Sequence, residues 1–194
     1  MKIIIEQEAF FDFALKGLAR SYYKRDKLFE DHFIEVRDKM IKQCRTLNEK
    51  AHKEANFAHS KVLRQMAVAI TITTTRAAWA HFDTYKIGIE TGDVSQSEST
   101  MHTINKRLLT KDDFSENTLQ ELIDIVNRLI ESKASISVIV DNLAQGFLQT
   151  RNYTANYAVI QNIITQRKGH RLGEWDNFAE QIKGQIKHPE ILIF

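Results

Sequence analysis

The sequence predicts an α+β fold, a single helix-rich domain over residues 1–194 wrapped around a small twisted sheet. Three observations point there. A β-branched, period-two run occupies residues 62–75, apolar positions elsewhere recur at steps of three and four, and neither an internal repeat nor a Pro/Gly/Ser-rich linker divides the chain. A length of 194 residues suits one domain with a substantial buried core.

From Asp26, the residues Phe29, Phe33, Val36, Met40 and Leu47 recur at near-helical steps with charged residues between them, which predicts an amphipathic helix of roughly twenty residues. In residues 62–75, Met66, Val68, Ile70 and Ile72 alternate with Ala67, Ala69, Thr71 and Thr73. This is a strand, and its small alternate residues predict burial on both faces. Residues 76–82 restore helical propensity, and residues 88–99, with two Gly and three Ser, read as a polar loop. Thr118 and Glu121 stand at capping-box spacing ahead of a helical face made by Leu119, Leu122, Ile123, Val126, Leu129 and Ile130. Residues 135–140 fit either a strand or a buried helix. Alternation from Phe147 to Tyr153 predicts a second strand, Tyr157, Ile160, Ile163 and Ile164 a further helix, and Leu172, Trp175, Phe178 and Ile182 the last one. The apolar end, residues 191–194, suggests a docked terminus or a subunit contact.

Composition narrows the function. With 27 Lys plus Arg against 25 Asp plus Glu, the net charge of +2 offers little long-range attraction to a phosphate polymer, so no nucleic-acid partner is expected. The longest uncharged apolar stretch, residues 65–75, is about half of what a bilayer crossing needs, and no secretory signal pattern opens the chain. A soluble, cytoplasmic protein without a membrane partner is the expectation. One cysteine, Cys44, excludes an internal disulfide, and no His/Cys cluster at ligand spacing points to a metal.

Polar residues of chemical interest concentrate in three places. His52 and His59 lie seven residues apart, which would put both imidazoles on one face of a helix, or else mark a turn with surface histidines. Residues 95–102 hold four hydroxyls and one charge, Glu98, as suits either a polar small molecule or a solvated loop. Asn156, Asn162 and Arg167 fall on one predicted helix, with Asn156 and Arg167 three turns apart. That spacing predicts a shared groove face, the alternative being a solvated polar face. Amides offer donor and acceptor together, and Arg167 a planar fork for a phosphate or a ring carbonyl.

In chain order, these segments resemble the flavin-dependent thymidylate synthases (ThyX), in a divergent form of the kind associated with phage genomes. Leu18-Ala19-Arg20-Ser21 is similar to an Ala-Arg-Val-Ser segment of that family. Residues 52–59, with Glu54, Phe57 and His59, are similar to its His-Glu-Thr-Pro-Phe-Glu-His stretch. Trp79 matches the Trp that precedes its Arg-His-Arg signature, residues 97–102 fall where it reads Asn-Glu-x-Ser-x-Arg, Thr150-Arg151, Asn156, Asn162 and Arg167 match its final motifs in spacing, and His170 or Arg171 sits where it places a histidine after that arginine.

The resemblance implies a homotetramer that binds FAD between subunits, with NADPH reducing the flavin and methylenetetrahydrofolate supplying one carbon to a small-molecule nucleotide, dUMP to dTMP in type. It implies catalytic roles for Arg167, Glu98 and Thr100. It places His52, His59, His81, Asn156, Asn162 and His170 at the cofactor, and Ser99, His102 and Arg151 at the nucleotide. This chain differs from the family at the Arg-His-Arg signature, where residues near His81-Phe82-Asp83 stand, or Asp83-Thr84-Tyr85-Lys86 with the gap moved, at His102 where an arginine is expected, and at Asp141. A second reading follows from those differences: a ThyX-fold nucleotide-binding or scaffold protein that has lost FAD and its activity.

Overall fold

A computed structural model describes residues 1–24, 30–86 and 96–194. Its centre is a four-stranded antiparallel sheet in the order β1-β2-β4-β3: β1 (Lys2–Ala9), β2 (Ala67–Thr75), β3 (Gln96–Ser97) and β4 (Leu148–Asn156). β2 is interior, paired with β1 from Thr73↔Lys2 to Ala67↔Ala9 and with β4 from Ala67↔Asn156 to Thr75↔Leu148. Val68, Ile70 and Ile72 are at most 2% exposed on the core face. The opposite face is only half covered, contrary to the expected burial on both sides. It carries a polar ladder in which Thr71 Oγ1 donates to Glu6 Oε1 at 2.7 Å and the Thr73 and Thr150 hydroxyls meet at 2.8 Å.

The strand also starts later than the sequence implied. Val62 and Leu63 are adjacent and both buried, and the Leu63 N–H donates to Ser60 O at 3.0 Å and the Met66 N–H to Leu63 O at 3.3 Å, three residues back in each case. Residues Lys61–Gln65 therefore form a 3₁₀ turn.

Helices α1 (Phe11–Ala19), α2 (Glu30–Lys53), α7 (Tyr157–Arg167) and α8 (Glu174–Gln185) contribute to the main core with the sheet, whose largest members include Trp79, Trp175, Phe178, Met66 and Ile70. The start predicted for α2, residues 26–29, lies outside the described residues, as does most of the polar loop, residues 87–95. Leu172 stands outside α8 and is exposed, so the last helix begins at Glu174.

Two helices follow strands without a loop, and this positions the site. Thr75 ends β2 and caps α3 (Arg76–Phe82) by accepting the Ala78 N–H at 3.1 Å; Asn156 ends β4 and caps α7 by accepting the Val159 N–H at 3.1 Å. These caps lie at opposite ends of the β2–β4 ladder. α7, about 16 Å long at 1.5 Å per residue, ends on Arg167, whose guanidinium lies over Tyr85, just beyond α3.

A second apolar cluster, with Ile104, Phe114, Ile123, Val126, Ile139 and Phe147 among its members, draws on α5 (Gln120–Glu131) and α6 (Ile136–Asp141). Residues 135–140 resolve as helix, capped by Ser135. The capping box expected at Thr118 and Glu121 does not form. Thr118 is buried with its hydroxyl 3.1 Å from Ser115 Oγ, beside Gly146, and α5 starts at Gln120 without a side-chain cap. The chain end docks: Asn48 Nδ2 donates to Ile191 O at 3.0 Å, while Gln161 accepts the Ile193 N–H at 2.7 Å and donates to Ile193 O at 2.9 Å.

Candidate functional site

α3 and the 3₁₀ turn after it, Asp83–Lys86, place Trp79, His81, Asp83 and Tyr85 between two arginines from other elements. Arg151 is the first. It pairs in register with buried Ile72 and so projects on the core face of β4, where its guanidinium carbon lies 4.3 Å from the Trp79 ring centroid. Trp79 is anchored by its indole N–H, which donates to Gln149 O at 3.0 Å. The Gln149 side chain donates to Thr100 Oγ1 at 2.7 Å, tying α4 (Thr100–Thr103) to the strand. Arg151 Nη1 stands 3.7 Å from Asp83 Oδ1, and Nη2 3.4 Å from Gln149 Oε1. Burial lowers the Arg151 pKa, an effect opposed by Asp83.

Arg167 is the second. Its guanidinium lies 5.2 Å from the Tyr85 ring and 5.0 Å from the Trp175 ring, within cation–π range of both. His81 stacks near-parallel on Trp175 at 6.2 Å, and His170 meets both, 5.6 Å from His81 and 6.4 Å from Trp175. Burial lowers the His81 pKa, helped by the Arg167 and His170 charges and opposed by Glu174. Burial raises the Tyr85 pKa, against the pull of Arg167. Glu174 accepts from the Thr75 hydroxyl at 3.3 Å and also lines a cleft of about 690 Å³ bounded by Phe114, Asn117, Gln145 and Leu172.

Four buried polar atoms here have no hydrogen-bond partner among the described residues: His81 Nδ1, Arg151 Nε, Arg167 Nε and Trp175 Nε1. Three are obligate donors, and the imidazole nitrogen can be one. Such a set lacks acceptors, so water or a ligand that completes it brings acceptor atoms.

The structure thus joins His81, Arg167 and His170, and separately joins Arg151 to Thr100 through Gln149. Other expected site residues lie apart. His52 is in the last turn of α2, edge-on to Phe57 at 5.4 Å, whereas His59 lies beyond the helix, 3.7 Å from Glu54. The helix stops at Lys53, so the two imidazoles do not share a helical face. His59 lines a groove of about 450 Å³ with Leu18, Ser21 and Leu47. The common face expected for Asn156, Asn162 and Arg167 does not form either. Asn156 Oδ1 is committed to capping α7, and Asn162, about 140° around the helix from Arg167, accepts from Gln166 at 2.8 Å. Glu98 and Ser99 are exposed before α4, and His102 is exposed on it. The Glu98 backbone N–H donates to Thr150 O at 3.0 Å, and its charge is felt at Arg107.

Trp175, Gln149 and Glu174 complete the site without having been singled out by sequence, whereas Asp83 and Tyr85 entered only as residues standing where the Arg-His-Arg signature is expected. Their signal was faint: Trp175 reads as a core residue at helical spacing, and nothing local ties Tyr85 to an arginine 82 positions later. Among the described residues, no helix is long and apolar enough to cross a membrane, and no three His, Cys, Asp or Glu are placed to hold a metal ion.

No protein-family profile and no curated protein matches the sequence. Solved structures do match. The flavin-dependent thymidylate synthase ThyX of Helicobacter pylori, complexed with FAD and dUMP, superposes with a TM-score of 0.75 over 99% of this chain and 98% of its own at 13% identity. A second structure of that enzyme with FAD and dUMP gives 0.71 at 14% identity, over 99% and 97%. The UMP/dUMP methylase PolB of Streptomyces cacaoi, bound with 5-Br dUMP, gives 0.61 at 10% identity, over 98% and 93%. Across nearly its whole length, this chain has the helix-rich α+β fold of the flavin-dependent thymidylate synthases.

Proposed function

We propose that this protein is a flavin-dependent methylase of a deoxyuridine nucleotide, dUMP to dTMP or a related one-carbon modification, using FAD, NADPH and methylenetetrahydrofolate. The observation that carries the reading is the set of buried, unpaired donors around Arg167 and Arg151, on a fold that ThyX enzymes share. An acceptor-rich planar ring, flavin or pyrimidine, is the chemical complement of that set, so the residues fit the cofactor. When bound, FAD supplies the hydride chemistry that side chains do not perform.

The protein's part is binding, charge stabilisation and exclusion of water. Arg167, oriented by Tyr85 and Trp175, holds a ring carbonyl and stabilises negative charge as it develops there. His81 is kept neutral at pH 7 by burial and by Arg167, so it offers a hydrogen bond without competing charge. Arg151 takes an anionic or carbonyl oxygen, with Thr100, Ser99, Glu98 and His102 around the mouth. Trp79, Phe82 and Trp175 close the inner wall against water. Cys44 is fully buried in α2 with its thiol pKa pushed up to about 12, so the carbon transfer proceeds without a protein thiolate. His52, His59, Asn156 and Asn162 lie off this cluster, and in this reading they meet the cofactor across a subunit boundary in a homotetramer.

Purified protein supplied with FAD, NADPH, methylenetetrahydrofolate and dUMP should form dTMP, and Arg167→Ala should form none while staying folded. Folded wild-type protein that forms no dTMP overturns the enzymatic reading. One observation favours the second reading, a nucleotide-binding or scaffold protein without FAD: the Asp83 carboxylate stands against Arg151. Such a protein would bind dUMP, remain colourless with FAD and make no dTMP.

A further inference from the structure

Arg151 is held firmly by its surroundings but poorly satisfied by them. Trp79 fixes its plane at 4.3 Å, yet Nε is buried with no acceptor among the described residues, Nη2 is 3.4 Å from Gln149 Oε1, and Nη1 is 3.7 Å from Asp83 Oδ1, beyond hydrogen-bond length. A guanidinium so oriented suits a two-oxygen acceptor. Asp83 stands at the same fork. Its backbone N–H closes α3 on Trp79 O and His81 O, while its side chain is 51% exposed, so the carboxylate borders the approach to Arg151 rather than the core.

We propose that Asp83 is a specificity-determining residue that limits how much of a ligand's phosphate charge Arg151 can use, so that this protein discriminates weakly between a pyrimidine nucleoside monophosphate and the unphosphorylated nucleoside. The inference rests on the nucleotide reading above. A phosphate dianion seated on Arg151 comes within a few ångström of the Asp83 carboxylate, and the repulsion offsets the attraction of the guanidinium. A neutral hydroxyl has no such conflict: it accepts from Arg151 and donates to Asp83 at once.

The test is isothermal titration of dUMP and of 2′-deoxyuridine, with excess FAD in both solutions, into wild-type protein and into Asp83→Asn, Asp83→Ser and Asp83→Glu. Wild type should prefer dUMP by less than about tenfold. Either neutral variant should raise that preference about tenfold, chiefly through tighter dUMP binding, the scale expected of one charge a few ångström away at a partly exposed site. Asp83→Glu should behave as wild type. An unchanged preference in both neutral variants overturns the inference and leaves nucleotide binding standing. Failure of both probes to bind all four proteins overturns the nucleotide reading, and this inference with it.

Discussion

Replacing Arg167 by alanine removes one guanidinium from two aromatic rings, and the structure sets the size of the effect. Each cation–π contact is worth about 0.5–1 kcal/mol at exposed sites and about 2 when desolvated. Arg167 is half-buried, so two contacts at about 1 kcal/mol each give a loss of about 2 kcal/mol. At roughly 2–4 °C per kcal/mol for a chain of this size, the melting temperature should fall by about 4–8 °C. The same substitution removes a positive charge that lowers the His81 pKa, so His81 should titrate higher in the variant, as read by NMR of the imidazole. The pH dependence follows. His81 has a folded pKa below its unfolded value of 6.5, so its contribution to stability is fully present above about 6.5 and is lost as pH falls through the folded pKa. Arg167→Ala should shallow that acid slope. Arg167→Lys, which keeps the charge and loses the planar fork, should leave His81 low while still melting earlier. An Arg167→Ala protein that melts with wild type, and whose His81 titration does not move, would refute the packed cluster.

Two further substitutions test the scaffold around the site. Gln161, 2% exposed, bonds Asn48, Thr165 and both backbone groups of Ile193, so Gln161→Ala should cost about 3 kcal/mol in chemical denaturation, because it strands several of these groups. Gly146→Ala drives a Cβ into Thr118 Oγ1 and to 2.8 Å from Ser115 Oγ, and should lower stability by about 1–3 kcal/mol in the same assay.

How much of this was legible in the sequence depended on whether the signal was local. β2 showed itself through alternation, and α5 through an apolar face, because both patterns sit within a dozen residues. β1 went unread: Ile3-Ile4-Ile5 is a short apolar run that stops at Glu6, and what makes residues 2–9 a strand is their register against β2, some 60 to 70 positions away. The capping box at Thr118 failed as a prediction because tertiary packing near Gly146 claims the Thr118 hydroxyl. At the site, spacing along α7 drew attention to Arg167, which meets Tyr85 and Trp175, and to Asn156, whose side-chain oxygen the structure commits to the helix start. The rings that orient Arg167 come from a 3₁₀ turn and from α8, so no sequence window contains both. The Asp83–Arg151 pair is a contact across 68 positions of the chain, visible only once β4 and α3 are assembled.

On the function proposed above, the Arg167 and Arg151 clusters of this fold hold a flavin and a pyrimidine nucleotide together. The most direct measurement is the visible absorbance spectrum of the protein after incubation with FAD and dUMP and removal of unbound ligand by gel filtration. Flavin absorbance should co-elute with the protein and be lost in Arg167→Ala. Folded wild-type protein that elutes colourless, with all flavin in the small-molecule fraction, would contradict that function.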